Sequence, residues 1–161
     1  MSRELELDLH TVFGRFQRAK ELSEKFGTSL QKKECAYQWA WTLYWWYDNK
    51  DGFHDKYCEY ELMVIQNNTL SDLERLSYLW ENLYTAFKGD VENVVLKKHT
   101  QTLHNLYEKY IDEISGSGSS LQARANYLFI RLFTGANLDV ITDELMKILL
   151  RTKSLGEMEQ T

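Results

Sequence analysis

Proline is absent from all 161 residues of this chain, although an average usage of about 5% would supply about eight. Proline breaks helix interiors and otherwise occupies turns and edge strands. A chain that lacks it is therefore expected to be all-helical. The length suits one domain with a sizeable core. We accordingly predict an all-α fold, a single-domain antiparallel bundle of six or seven helices over residues 1–161.

Apolar residues recur at intervals of three and four along almost the whole chain, which is the helical period. Three pairs match the capping-box pattern that opens a helix, namely Thr28 with Gln31, Ser71 with Glu74 and Ser119 with Gln122. The predicted helices run over 3–26, from 28 to near 48–52, over 53–67, from 71 to near 89, over 91–114, over 120–134 and over 138–153. Residues 115–120 are predicted to be a flexible Gly/Ser loop, and residues 154–161 a polar tail.

Four of the five tryptophans lie within eight residues, between Trp39 and Trp46. On a helix, one side of this run carries a set that we call the aromatic row: Tyr37, Trp41, Tyr44 and Trp45. Most of the other side is also apolar: Trp39, Leu43, Trp46 and Tyr47. A helix that is apolar on both sides is usually buried between two layers, so burial is the first interpretation and at most one side is expected to remain available. Helix six is also apolar nearly all round, and helices two and six are predicted to be central.

If one side of the tryptophan helix is exposed, the aromatic row is the predicted partner-binding surface, because Trp and Tyr dominate interface energetics. Stacking of nucleic-acid bases and an aromatic-lined ligand pocket are the other uses of such a surface.

Basic residues cluster near the turn between the first two helices: Arg15, Arg18, Lys25, Lys32 and Lys33. Because Glu21, Glu24 and Glu34 are interleaved with them, the first interpretation is a solvated face with ion pairs. Binding of nucleic-acid phosphates is the alternative. Arg124 and Arg131 share a face of helix six just after the Gly/Ser loop. They are an alternative anion site, against the simpler expectation of salt bridges to neighbouring acids.

His54, Cys58 and Glu61 share one face of the third helix and have side chains of the types that bind zinc. A structural zinc site needs a fourth ligand, which the sequence does not identify. We therefore predict no metal and no cofactor. Cys35 and Cys58 are expected to be free thiols, because their predicted positions on antiparallel helices are too far apart for a disulfide.

The sequence carries no local catalytic motif, so a non-enzymatic protein is predicted. The net charge of −5 argues against general binding of polyanions. No uninterrupted apolar stretch of membrane-spanning length is present, and the N-terminus lacks the apolar core of a signal peptide, so a cytoplasmic location is expected.

The predicted function is a protein–protein interaction module: an inhibitor, an adaptor or a small structural subunit of a larger assembly. Its partner is expected to be another protein and not a membrane. A nucleic-acid-associated subunit and a small-molecule sensor are the alternatives, and the sequence leaves the oligomeric state open.

Overall fold

The computed structural model describes residues 7–114 and 118–158, with side chains described up to residue 154. Within these ranges the chain forms seven helices and no strand, so the all-α prediction is confirmed. The helices are α1 (Leu9–Phe26), α2 (Ser29–Trp45), α3 (Lys50–Gln66), α4 (Leu70–Ala86), α5 (Val94–Glu113), α6 (Gly118–Phe133) and α7 (Leu138–Met158).

The chain divides into two compact units, Met1–Asn67 and Asn68–Thr161, which we call unit 1 and unit 2. Unit 1 contains α1 to α3 and unit 2 contains α4 to α7. The prediction of a single domain stays a prediction. In unit 1, α2 contacts both other helices, and in unit 2, α6 contacts all three others. Each helix that the sequence placed at the centre is thus the middle helix of its own unit.

The first helix begins later than predicted, because Asp8 ends the preceding segment as an N-cap. Its carboxylate accepts a hydrogen bond from the backbone N–H of Thr11 at 3.0 Å, which satisfies a donor that the first turn leaves unpaired. The predicted start at residue 3 lies outside the described residues. No side chain of α1 is fully buried, and Phe26 at its C-terminal end is exposed.

The second and third helices follow the sequence prediction closely. Thr28 and Gln31 form the predicted capping box at the start of α2. The third helix begins at Lys50 with Asn49 as its N-cap and ends before Asn67. The spacing of three and four residues predicts that one side of this helix is apolar, and the structure buries that side: Phe53, Tyr57, Tyr60 and Val64. Ring contacts pair Tyr37 with Tyr60 and Tyr44 with Phe53, so α2 and α3 are antiparallel.

The predicted cap of α4 is wrong by two residues. Thr69 is the N-cap, and it forms the capping box with Asp72, not Ser71 with Glu74. The Thr69 N–H donates to Asp72 Oδ2 at 2.9 Å, and the Asp72 N–H donates to Thr69 Oγ1 at 3.2 Å. The sequence spacing predicts an apolar stripe on this helix that consists of Leu73, Leu76, Trp80, Leu83 and Phe87. The first four are buried, whereas Phe87 is half-buried.

The N-cap of α4 can be tested directly by substitution. Thr69→Ala is expected to lower the free energy of unfolding by about 1 kcal/mol, the usual cost of losing a threonine N-cap. Ser71→Ala is the matched control and should change it by less than about 0.5 kcal/mol, because Ser71 is exposed inside the helix. Urea unfolding followed by circular dichroism measures both. Equal losses in the two variants would contradict the assignment of the cap.

Unit 2 alternates in direction along the chain. Ser77 contacts Tyr107 and Trp80 contacts Thr100, so α4 and α5 are antiparallel. Glu74 accepts a hydrogen bond from Asn126, and further along both helices Trp80 contacts Phe133. Helices α4 and α6 therefore run in the same direction.

Helix α6 differs from prediction at both its start and its outer face. Residues 115–117 of the predicted loop lie outside the described residues, but 118–120 form the first turn of α6. Ser119 is therefore inside the helix and is not its cap, and Ser120 is buried. Burial here overrides the low helix propensity of Gly and Ser. The outer face keeps Phe129, Leu132 and Phe133 exposed, because the other helices cover only part of its circumference.

Helix α7 begins as predicted and continues to Met158, so the predicted polar tail is helical up to that residue. Its inner side buries Ile141. Its outer side carries a set of exposed apolar residues: Leu138, Leu145, Met146, Leu149 and Leu150. No helix in residues 7–114 and 118–158 has both the length and the apolar character that crossing a bilayer requires.

Candidate functional site

The interior side of α2 determines which aromatic residues remain available. Its buried residues are Lys33, Ala36, Trp39, Ala40 and Leu43. The Trp39 ring lies 5.3 Å from the Phe13 ring and 5.6 Å from the Phe16 ring of α1, and the Lys56 ammonium lies 4.0 Å from its centroid. Trp39 is therefore a core residue of unit 1, in contact with both neighbouring helices.

The aromatic row lies on the flank of α2 that faces α3. Tyr37 contacts Tyr60 with a centroid separation of 5.7 Å, and Tyr44 contacts Phe53 at 5.0 Å. Three members of the row, Tyr37, Trp41 and Tyr44, are half-buried. The row is thus partly core, and its exposure increases toward the C-terminal end of the helix.

Trp45 is the exposed end of the aromatic row. Its side chain is 57% exposed, yet its ring contacts two others, Trp41 at 5.7 Å and Tyr44 at 5.3 Å in an edge-to-face arrangement. Offset and edge-to-face ring pairs are favourable beyond simple burial. The Trp45 indole is therefore held by two ring contacts, and more than half of its surface remains accessible to a partner.

Trp46 was placed by the sequence on the side of Trp39 and Leu43, and it was not among the predicted partner-binding residues. It is the C-cap of α2 and is 52% exposed, because the helix that would have carried it along the core ends there. Both sides of the run thus contribute one exposed indole, and the expectation that only one side would be available is wrong. The signal in the sequence was the Asp48–Asn49 turn that follows directly.

The turn after α2 fixes the position of these indoles. The Tyr47 hydroxyl donates to the carbonyl of Leu7 at 2.6 Å. Asp48 has a left-handed backbone with φ of +45°, a conformation that Asp tolerates better than most residues. Asn49 then caps α3 by accepting from the Gly52 N–H at 2.9 Å. The chain reverses within a few residues and leaves Trp45 and Trp46 at the end of the hairpin.

One member of the predicted basic cluster is buried, and the others differ in exposure. Arg15, Arg18 and Lys25 are exposed and Lys32 is half-buried. Lys33 is only 5% exposed and its ammonium donates to the carbonyl of Asn67. Since a buried ammonium cannot reach a phosphate, Lys33 is corrected from a candidate nucleic-acid contact to a structural residue of unit 1.

Arg124 and Arg131 do line one cleft, as their shared face predicted. The cleft has a volume of about 620 Å³ and lies between α5, α6 and α7 of unit 2. Arg131 Nη1 is 3.3 Å from a carboxylate oxygen of Glu144, which is the salt bridge expected from the sequence. Burial, with a further contribution from the hydrogen-bonded carboxylate of Glu108, raises the pKa of Tyr127 to about 12. The charges that line the cleft have both signs, so binding of an anion there stays a prediction.

The candidate metal ligands on α3 contact different neighbours: His54 contacts Cys58, whereas Glu61 contacts Tyr57. His54 Nε2 lies 3.6 Å from Cys58 Sγ. Glu61 is buried, and its Oε1 accepts from the Tyr57 hydroxyl at 3.4 Å. Burial, together with the charge of Glu61, raises the pKa of Tyr57 well above its usual value. Cys35 and Cys58 are free thiols as predicted, and burial raises the pKa of Cys35.

A set that sequence reasoning missed lies on α4. Glu74, Tyr78 and Glu81 are spaced at i, i+4 and i+7 and line one cavity of unit 2. The spacing is a readable signal, but the sequence pattern assigns Glu74 to a capping box.

Comparisons with known protein families, with curated proteins and with solved structures find no match for this chain.

Proposed function

We propose that this chain is a protein-binding module that holds its partner at Trp45 and Trp46. The observation that carries the proposal is the state of Trp45, which is 57% exposed while its ring contacts Trp41 and Tyr44. An inhibitor, an adaptor and a small structural subunit of an assembly all use a surface of this kind. A cytoplasmic location belongs to this proposal.

Ordering a side chain in an interface costs free energy, and Trp45 is already partly ordered. A flexible side chain that becomes fixed in an interface loses about 0.5–1.5 kcal/mol of conformational free energy. Because two ring contacts already restrict Trp45, part of that loss occurs before a partner arrives. The exposed indole area then contributes to affinity when the partner excludes water from it.

The surroundings of the two indoles have the polar character of an interface rim. Asp48 and Lys50 are exposed, and their charged groups lie 3.9 Å apart. Rim charges of this kind contribute little to affinity but set orientation and the rate of association. An apolar pair of rings surrounded by solvated charges fits binding of a folded protein better than insertion into a lipid phase.

The test is quantitative capture of the partner from the native host by the tagged full chain, with and without nuclease. Trp45→Ala is expected to weaken binding by about 2 kcal/mol, or about 30-fold, as for an interface hot spot. Phe26→Ala is the matched control, since it removes another exposed aromatic ring of unit 1. Both variants should keep the melting temperature of the parent within a few degrees.

Three outcomes would overturn the proposal. They are equal retention of the partner by all variants, loss of binding in Phe26→Ala as large as in Trp45→Ala, and loss of the captured protein after nuclease. The last outcome would favour the nucleic-acid alternative, which relies on the exposed Arg15, Arg18 and Lys25.

A further inference from the structure

Unit 2 contains a second cavity, of about 330 Å³, that is lined by acidic and aromatic residues. Its size lies at the lower end of the range for small-molecule sites. The lining residues are Glu74, Ser77, Tyr78, Glu81, Tyr107, Asn126, Phe129 and Ile130. They include two carboxylates and three aromatic rings, and no lysine or arginine.

The polar groups on one side of this cavity already satisfy one another. Glu74 Oε1 accepts from Gln122 Nε2 at 2.7 Å and from Asn126 Nδ2 at 3.2 Å. The Tyr107 hydroxyl is buried and lies 2.8 Å from Ser77 Oγ. These groups form a polar wall whose recorded hydrogen bonds are made within the protein.

The Glu81 carboxylate, in contrast, has no hydrogen-bonded partner among the described residues. Its side chain is half-buried, and this burial raises the pKa of Glu81 above its usual value. No described residue forms an ion pair or a side-chain hydrogen bond with the carboxylate. A partly desolvated and uncompensated negative charge is costly, and a cation beside it would lower that cost.

Two aromatic side chains complete the lining beside Glu81. Tyr78 is 52% exposed and Phe129 is 56% exposed, although both line the cavity. Aromatic faces attract cations through the ring quadrupole, and quaternary ammonium groups are the best-known ligands of such arrangements. Rings and a carboxylate together therefore select for a positive charge that carries apolar groups.

We propose that this cavity binds a small organic ammonium ion with an alkylated nitrogen, its charge beside Glu81 and its alkyl groups against Tyr78 and Phe129. A primary ammonium is less suitable, because its three N–H donors need acceptors and the ring faces of Tyr78 and Phe129 offer none. A divalent metal is also less suitable, since Ca²⁺ and Mg²⁺ need about six oxygen ligands. This proposal is independent of the protein-binding surface of unit 1.

The experiment is an NMR titration of the full chain with choline and with 3,3-dimethyl-1-butanol, which has the same shape without the charge. Methyl signals of Ile130 and the side-chain amide of Asn126 report on the cavity. Choline is expected to give saturable shifts of these signals at millimolar concentrations. The neutral analogue should bind about tenfold more weakly or not at all, as the loss of one favourable ionic contact implies.

Two variants that each remove one negative charge separate a local effect from a general one. Glu81→Gln should weaken choline binding about tenfold. Glu92→Gln, at an exposed site paired with Lys97, should change it less than about twofold because remote surface charges are screened. Folding of Glu81→Gln is not at risk, since the substitution removes a desolvated carboxyl. Tyr78→Leu removes one aromatic ring from the lining and should also weaken choline binding.

The dependence on pH provides a further check. The titratable groups that line this cavity are Glu74, Tyr78, Glu81 and Tyr107, and the α6 lining contributes no charge. Because the ammonium stabilises the ionised form of Glu81, choline binding should weaken as pH falls through the raised pKa of Glu81. The proposal is wrong if choline gives no saturable shifts, if the neutral analogue binds equally, if methylammonium binds more tightly than choline, or if both charge variants lose affinity alike.

Discussion

Replacing Trp80 by alanine is expected to lower the free energy of unfolding by about 3–5 kcal/mol, the usual range for a buried aromatic side chain. Trp80 is fully buried, and its ring lies 5.5 Å from Tyr84 and 6.3 Å from Phe133. Its indole N–H donates to Thr100 Oγ1 at 2.9 Å. The substitution therefore leaves a cavity in unit 2 and removes a hydrogen bond between α4 and α5.

Urea unfolding followed by circular dichroism measures this loss. Trp80→Phe is the informative control, because it keeps most of the apolar volume and removes the hydrogen bond. It should cost clearly less than the alanine variant, about 1–2 kcal/mol. If Trp80→Ala changes the free energy of unfolding by less than about 1 kcal/mol, the packing described for unit 2 is wrong.

Trp39→Ala is expected to have an effect of similar size in unit 1, again about 3–5 kcal/mol. The Trp39 ring is in contact with Phe13 and Phe16 of α1 and with the ammonium of Lys56 on α3. Its removal therefore weakens both helix pairs that hold α2. The melting temperature should fall accordingly in a thermal scan.

The matched control for Trp39→Ala lies on the same helix. Trp45→Ala removes the same side chain at a position that is 57% exposed and is expected to cost clearly less, about 1 kcal/mol, because more than half of its area already contacts water. The two variants together separate the effect of a buried indole from that of an exposed one. Equal destabilisation would contradict the difference in burial on which the proposed function rests.

Most of the helices were predictable because their signals are local. The capping box of Thr28 and Gln31 and the buried stripe from Phe53 to Val64 involve residues only three or four positions apart. Spacing of this kind decides which face of a helix is apolar before any tertiary contact forms. The sequence therefore supports the all-α fold and the order of the helices well.

The start of α4 shows where local signals are insufficient. Thr69 with Asp72 and Ser71 with Glu74 both match the capping-box pattern, and the choice depends on distant residues. Asp72 is buried, whereas Glu74 bonds Gln122 and Asn126 of α6. No periodicity in α4 reveals those amides. The wrong cap also concealed the cavity that Glu74 lines.

Sequence patterns also could not predict whether particular polar and aromatic residues are buried. Lys33 belongs to a basic stretch, and only the fold shows that its ammonium reaches the carbonyl of Asn67. The helical spacing places Trp46 on the same side as Trp39. Because α2 ends at Trp45, that spacing does not determine the direction of the Trp46 side chain. In both cases the outcome depends on where the neighbouring chain lies.

The exposed apolar side of α7 has a consequence for the behaviour of the protein in solution. Leu138, Met146, Leu149 and Leu150 present hydrocarbon to water, and surfaces of this kind promote association between molecules. At pH 7 the net charge of −5 opposes such association by mutual repulsion. That repulsion vanishes near the isoelectric point of about 5.4, where colloidal stability is lowest. Association through the apolar side of α7 is therefore expected to be strongest near that pH.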